Sequence, residues 1–77
     1  MDVKEQVLEI LNNMDDSIEY EEEDSLIDDM ILDSFAIITL VGDLEDTFDI
    51  EIGASDMTAD NFNTVDAITD MVIRLRG

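Results

Sequence analysis

The sequence predicts an all-α fold: a small bundle of three main helices plus a short fourth, with one long first loop. Three observations carry this expectation. Apolar residues recur at helical spacing in three separate stretches. Proline is absent and glycine occurs three times in 77 residues, which favours helices over a turn-rich β fold. The one stretch that alternates like a strand, Asp49-Ile50-Glu51-Ile52-Gly53, has no second strand to pair with.

Each element can be justified in order. Val3, Val7, Ile10, Leu11 and Met14 form an apolar stripe and predict a first helix over residues 2–14. Asp2 suits its positive end. Residues 15–33 form a long connection with an acidic Glu21-Glu22-Glu23-Asp24 run. Ile18, Tyr20, Leu26, Ile27, Met30 and Leu32 punctuate that connection with apolar side chains, so it should pack down on the core. A structureless loop of this length is uncommon in a compact domain. It is therefore either functional or contains a turn of helix near Leu26–Met30.

Ile37, Ile38, Leu40, Val41, Leu44 and Phe48 mark a second helix over about 34–48. Gly42 inside it costs about 1 kcal/mol against alanine, which reflects either a close approach or drift. Residues 49–53 read as an extended link, and 54–62 as a loop with a short helix. Thr64 is the expected N-cap of a last helix, 65–75, striped by Val65, Ile68, Met71, Val72 and Leu75. Arg74 and Arg76 lie where that helix dipole favours cations.

A chain of 77 residues is read as one domain, 1–77, burying about 60% of its unfolded surface. Zero cysteine excludes a disulfide scaffold. No apolar run approaches the ~20 residues of a membrane span, and the N-terminus lacks a signal-peptide pattern. A soluble cytoplasmic protein is the expectation. Its 22 acidic residues against 3 basic ones give a net charge of −19. That field argues against binding nucleic acid or anionic lipid and draws in basic surfaces. Self-repulsion points to a monomer.

Dense carboxylates raise the question of calcium. An EF-hand loop needs Gly at position 6 and Glu at position 12. Starting at Asp15, those positions hold Tyr20 and Leu26; starting at Asp43, position 6 is Phe48. Neither register works, so the carboxylates attract divalent ions only weakly. With no histidine and no cysteine, zinc has no ligands of its usual kind. Paired carboxylates could do acid–base work, but so small a bundle offers little concavity, and enzyme activity is not expected.

Asp33-Ser34-Phe35 stands where the irregular acidic segment gives way to the second helix. Ser34 could serve as an N-cap with its hydroxyl at the positive end of the dipole. No imidazole is present to activate that hydroxyl, so any chemistry at Ser34 must be performed by another protein.

The run Glu23-Asp24-Ser25-Leu26-Ile27-Asp28-Asp29-Met30-Ile31-Leu32-Asp33-Ser34-Phe35, with the exit Leu44-Glu45-Asp46-Thr47-Phe48-Asp49-Ile50-Glu51-Ile52, resembles the acyl carrier protein family. The resemblance extends to Asn63-Thr64-Val65 and covers nearly the whole chain. It implies a small acidic helical bundle whose Ser34 carries 4′-phosphopantetheine. Asp33 matches the acidic residue that helps position the metal in the transferase complex. The implied function is to carry acyl or aminoacyl thioesters to partner enzymes, in fatty-acid or specialised acyl biosynthesis. The implied partners are a phosphopantetheinyl transferase, a loading ligase, and downstream acyltransferases or synthases with basic surfaces.

Phe35, Ile37, Asp43, Glu45, Asp46, Asp49 and Glu51 are the candidate partner-facing residues. A fatty cargo would enter between the second and last helices, along Ile38, Val41, Phe62, Ile68 and Met71. The chain also departs from fatty-acid carriers, with Phe35 after the serine, Thr39 for a common Glu and Gly42 for a common Met. Leu32-Asp33-Ser34-Phe35 and the longer link to Phe62-Asn63-Thr64 look more like D-alanyl carrier proteins, which serve teichoic acid alanylation, and some specialised carriers. The cargo stays open at this point. In a different class stands an unmodified acidic interaction adaptor, which would explain the charge but not the position of Ser34.

Overall fold

A computed structural model describes residues 2–77. Among them are four α-helices and two 3-10 turns, with no strand. Helix α1, Val3–Met14, begins under Asp2, whose carboxylate accepts the Glu5 amide at 2.8 Å. Val7, Ile10 and Leu11 form its buried face, the 3.6-residue spacing of an amphipathic helix.

The long connection packs down as expected except at Met30, which is exposed. Asp15 begins it by accepting both the amide (3.0 Å) and the hydroxyl (2.6 Å) of Ser17. Those two bonds, the hydroxyl's first, hold the Asp15 carboxyl below its ordinary range. A 3-10 turn, Tyr20–Glu22, seats Tyr20 in the core, and burial pushes its phenol up from 10.0. Leu26 and Leu32 are the other core anchors of this segment. Near Leu26–Met30 the chain makes a single turn that does not repeat into a helix: the Asp29 amide donates to the Ser25 carbonyl four residues back (2.8 Å) and the Met30 amide to the Ile27 carbonyl three back (3.0 Å). Met30 then turns left-handed, φ 60°, which ends any helical continuation.

Helix α2, Ser34–Phe48, buries Leu40, Leu44 and Phe48 at four-residue spacing. It ends at Asp49, itself left-handed at φ 54°. The link that follows is extended and unpaired, as expected. Its alternation drops Ile50 and Ile52 into the core and leaves Glu51 in solvent. Glu45 secures it by accepting the Ile52 amide at 3.0 Å.

A second 3-10 turn, Ala54–Asp56, leads to the short helix α3, Ala59–Phe62, which buries Phe62. Helix α4, Val65–Arg76, starts as foreseen at Thr64, whose hydroxyl accepts the Ala67 amide at 2.9 Å. It runs one residue beyond the expected end. Its buried face is Val65, Ile68, Met71 and Val72.

The bundle closes with α1 against both α4 and α2, and α3 against α4. Apart from the phenol of Tyr20 the buried core is apolar, and no charged residue among those described is buried. The scarce cations lie outside it. Lys4 pairs with Asp66 at 3.2 Å, which raises the Lys4 pKa through the hydrogen bond first and the charge second. Arg74 reaches Asp56 at 3.7 Å, and Arg76 lies 5.8 Å above the centre of the Phe48 ring.

Candidate functional site

The start of α2 is built by Asp33. Its backbone is extended, its Oδ1 accepts the Ala36 amide at 2.8 Å, and its carbonyl accepts the Ile37 amide at 2.9 Å. Asp33, and not Ser34, is therefore the N-cap; the two residues are neighbours, and only one can fill the role. Ser34 becomes the first helical residue. Its side chain is exposed and makes no hydrogen bond among the described residues. The amides of Ser34 and Phe35 precede the first intrahelical bond, so they too are left unpaired at the positive end of the helix.

This arrangement fits a phosphate diester on Ser34. The oxygen is free to be esterified without disturbing the cap. A phosphate attached there lies beside unpaired backbone donors. No bulky side chain is folded over the position, since the adjacent Phe35 is itself 80% exposed.

Around this start the surface is apolar before it is acidic. Phe35 and Ile38, one helical turn apart, are 80% and 67% exposed. Ile37, expected on the outer surface, is half-buried against the core, and Ile38 takes its place outside. Thr39 returns its hydroxyl to the Phe35 carbonyl at 3.2 Å. Gly42 is exposed, and a Cβ placed on it would meet nothing within 4 Å, so no close approach within the chain explains it. Carboxylates return only at Asp43 and Asp46, both exposed, followed by exposed Asp49 and Glu51. Glu45, grouped with these from the sequence, is half-buried and holds the Ile52 amide. Its internal duty had no local signal, because its partner lies seven residues on.

The expected acyl-lining residues do not line one space. Phe62, Ile68 and Met71 are closed within the core, Val41 is half-buried, and Ile38 faces solvent. One cleft of about 220 Å³ lies elsewhere, lined by Lys4, Glu21 to Asp24, and Thr64 to Asp66, with no residue of α2.

The family model for the phosphopantetheine attachment site matches residues 2–72. The chain belongs to this family. Its prosthetic group is accordingly 4′-phosphopantetheine, and its members are carriers rather than catalysts. Among similar proteins is the D-alanyl carrier protein of Streptococcus gordonii, 38% identical over 78 residues, 99% of this chain and 98% of the relative. The D-alanyl carrier protein of Streptococcus thermophilus is 38% identical over the same shares of both chains. That of Leuconostoc mesenteroides is 36% identical across the full length of both. These relatives carry D-alanyl names, so the fatty-acid setting expected first is less well supported than its alternative. Carriers of this family generally have a phosphopantetheinyl transferase and ligases among their partners. No helix among the described residues is long and apolar enough to cross a membrane.

Proposed function

We propose that this chain carries D-alanine as a thioester on a 4′-phosphopantetheine arm attached to Ser34. The observation that carries the reading is likeness to D-alanyl carriers over essentially the whole chain, at 36–38% identity. The exposed, unbonded Ser34 hydroxyl beside the Asp33 cap supports the attachment point. A D-alanyl group is short and polar and needs no apolar chamber. The closure of Phe62, Ile68 and Met71 within the core therefore favours it over a long acyl chain.

The 77 residues act as one carrier unit whose loading, by a phosphopantetheinyl transferase and then by an aminoacyl-loading ligase, takes place in the cytoplasm. Partners meet the apolar pair Phe35 and Ile38 at the helix start. Asp33, Asp43, Asp46, Asp49 and Glu51 guide them by charge.

The test uses intact mass. The apo protein is treated with a phosphopantetheinyl transferase and coenzyme A. The product is then offered D-alanine with its ligase or a fatty acid with an acyl–carrier ligase. The expected result is a D-alanyl adduct that hydroxylamine removes and that Ser34→Ala abolishes. Because Asp33 supplies the cap, Ser34→Ala should stay folded, so lost labelling reports the site. Efficient fatty acylation without D-alanylation would overturn the reading of the cargo; equal labelling of Ser34→Ala would overturn the site.

A further inference from the structure

Apart from the two surface ion pairs, Lys4–Asp66 and Arg74–Asp56, one residue links distant parts of this sequence through its side chain. Among the described residues, the other side-chain hydrogen bonds span seven positions or fewer, except those of Asn63, which span 35 and 36. Asn63 sits between Phe62, the last residue of α3, and Thr64, the cap of α4. Its carbonyl accepts the Leu26 amide at 2.9 Å. Its Oδ1 accepts the amides of Ile27 at 2.9 Å and Asp28 at 3.3 Å. Its Nδ2 donates back to Asp28 Oδ2 at 3.4 Å. Three successive amides of the first loop thus end on one residue.

The path continues to the modification site. Leu26 accepts the Leu32 amide at 2.9 Å, and Leu32 is followed directly by the Asp33 cap and Ser34. Leu26 and Leu32 are buried at 0% and 4% exposure. Their burial sets the depth of the segment, but apolar burial has no direction. The amides captured by Asn63 supply direction, because hydrogen bonds weaken steeply when bent. Between the two leucines Ile27 and Ile31 pack partly against the core and two turn hydrogen bonds form within the segment. Asp28, Asp29 and Met30 are nonetheless exposed, and Met30 occupies the disfavoured left-handed region. The hydrogen bonds that tie this stretch to another part of the fold are those to Asn63.

We infer that Asn63 is a positioning residue for the modification of Ser34: it holds segment 26–33 in the path that presents the serine at an open helix start. The inference rests on the reading of Ser34 as the attachment point. It predicts that truncating Asn63 lowers the fraction of molecules presenting Ser34 correctly. The apparent affinity of the transferase then falls by that fraction, while turnover of bound molecules does not.

The experiment compares four apo proteins: the parent, Asn63→Ala, Asn63→Asp, and Asn63→Asp combined with Asp28→Asn. Transferase kinetics with coenzyme A are followed by intact mass, and amide exchange is measured at Ala36, the residue capped by Asp33. Asn63→Ala should raise KM about tenfold and leave kcat unchanged, with faster exchange at Ala36. Asn63→Asp keeps an acceptor but opposes the Asp28 carboxylate, so KM should rise there too. Adding Asp28→Asn restores a donor to the pair and should return KM to the parent value. A loss of stability alone would lower the melting temperature without dividing KM from kcat. A parent-like KM in Asn63→Ala, or a double variant no better than Asn63→Asp, would overturn the inference. If the parent gains no mass, it is the reading of Ser34 that fails. Exchange at Ala36 then decides the structural half of the inference, that Asn63 holds the segment ending at the Asp33 cap: faster exchange in Asn63→Ala sustains it, unchanged exchange overturns it.

Discussion

Gly42 lies in the middle of the 15-residue helix α2, and the structure gives it no packing reason to be glycine. Its φ is not in the left-handed region, its position is exposed, and an added Cβ meets nothing within 4 Å. Two terms therefore favour alanine. The unfolded chain loses conformational freedom, and the folded helix gains a residue of higher propensity. Together they amount to about 1 kcal/mol, with no opposing clash. For a domain of this size, that corresponds to a rise of about 4–8 °C in melting temperature. Gly42→Ala should show this shift in thermal melts followed by far-UV circular dichroism, and a matching rise in urea midpoint at unchanged slope. Transferase labelling of Ser34 serves as the functional control. An unchanged or lower melting temperature would refute the reasoning, because it would mean that the middle of α2 is not the regular, unobstructed helix described. A stabilised variant that labels poorly would instead place a partner's surface against Gly42.

The parts legible in the sequence are those decided by nearest neighbours along one helix. The stripe from Val7 to Leu11 and the stripe from Val65 to Val72 each have one face that repeats cleanly, so α1 and α4 could be placed within a residue. Thr64 was legible as a cap because the apolar stripe of α4 begins at Val65, directly after it. At the start of α2 two capping residues stand side by side, and residue type alone cannot choose between Asp33 and Ser34. The choice is made by which oxygen reaches the Ala36 amide. Ile37 and Ile38 pose the same problem, being adjacent and equally apolar. The buried row of Leu40, Leu44 and Phe48 draws Ile37 inward, three residues before Leu40, and sends Ile38 out. Glu45 and Asn63 were not legible at all in their structural duties. Their partners are backbone amides at seven and 35 or more positions away, and a backbone amide leaves no trace in residue identity.

Two further outcomes concern charge. Tyr20 is buried, and its pKa is raised from 10.0 chiefly by that burial. Its folded form thus holds a proton that the unfolded chain releases. The stability it favours is complete below pH 10 and is lost as pH climbs through the higher folded value. Tyr20→Phe should flatten the alkaline part of a stability–pH curve, and an identical decline in both proteins would show that the phenol is not the cause. The second outcome follows from the net charge of −19, with only two ion pairs to relieve it among the described residues. The bundle is 30 Å in its longest extent. At 0.01 M salt the Debye length is about 30 Å, so every carboxylate repels every other across the whole molecule; at 1 M it is about 3 Å and only neighbours interact. The melting temperature should therefore climb steadily through that range, and magnesium should act at lower concentration than sodium. Association with the transferase should move the opposite way, because the same field that strains the free domain draws it toward a basic groove. Each exposed pair across that contact contributes at most about 1 kcal/mol, so no single substitution among Asp43, Asp46, Asp49 and Glu51 should abolish binding. Thermal melts and stopped-flow association over one salt series read both trends. An association rate flat across the series, while the melting temperature rises, would show that the acidic surface repels itself without guiding partners, and recognition would then rest on Phe35 and Ile38.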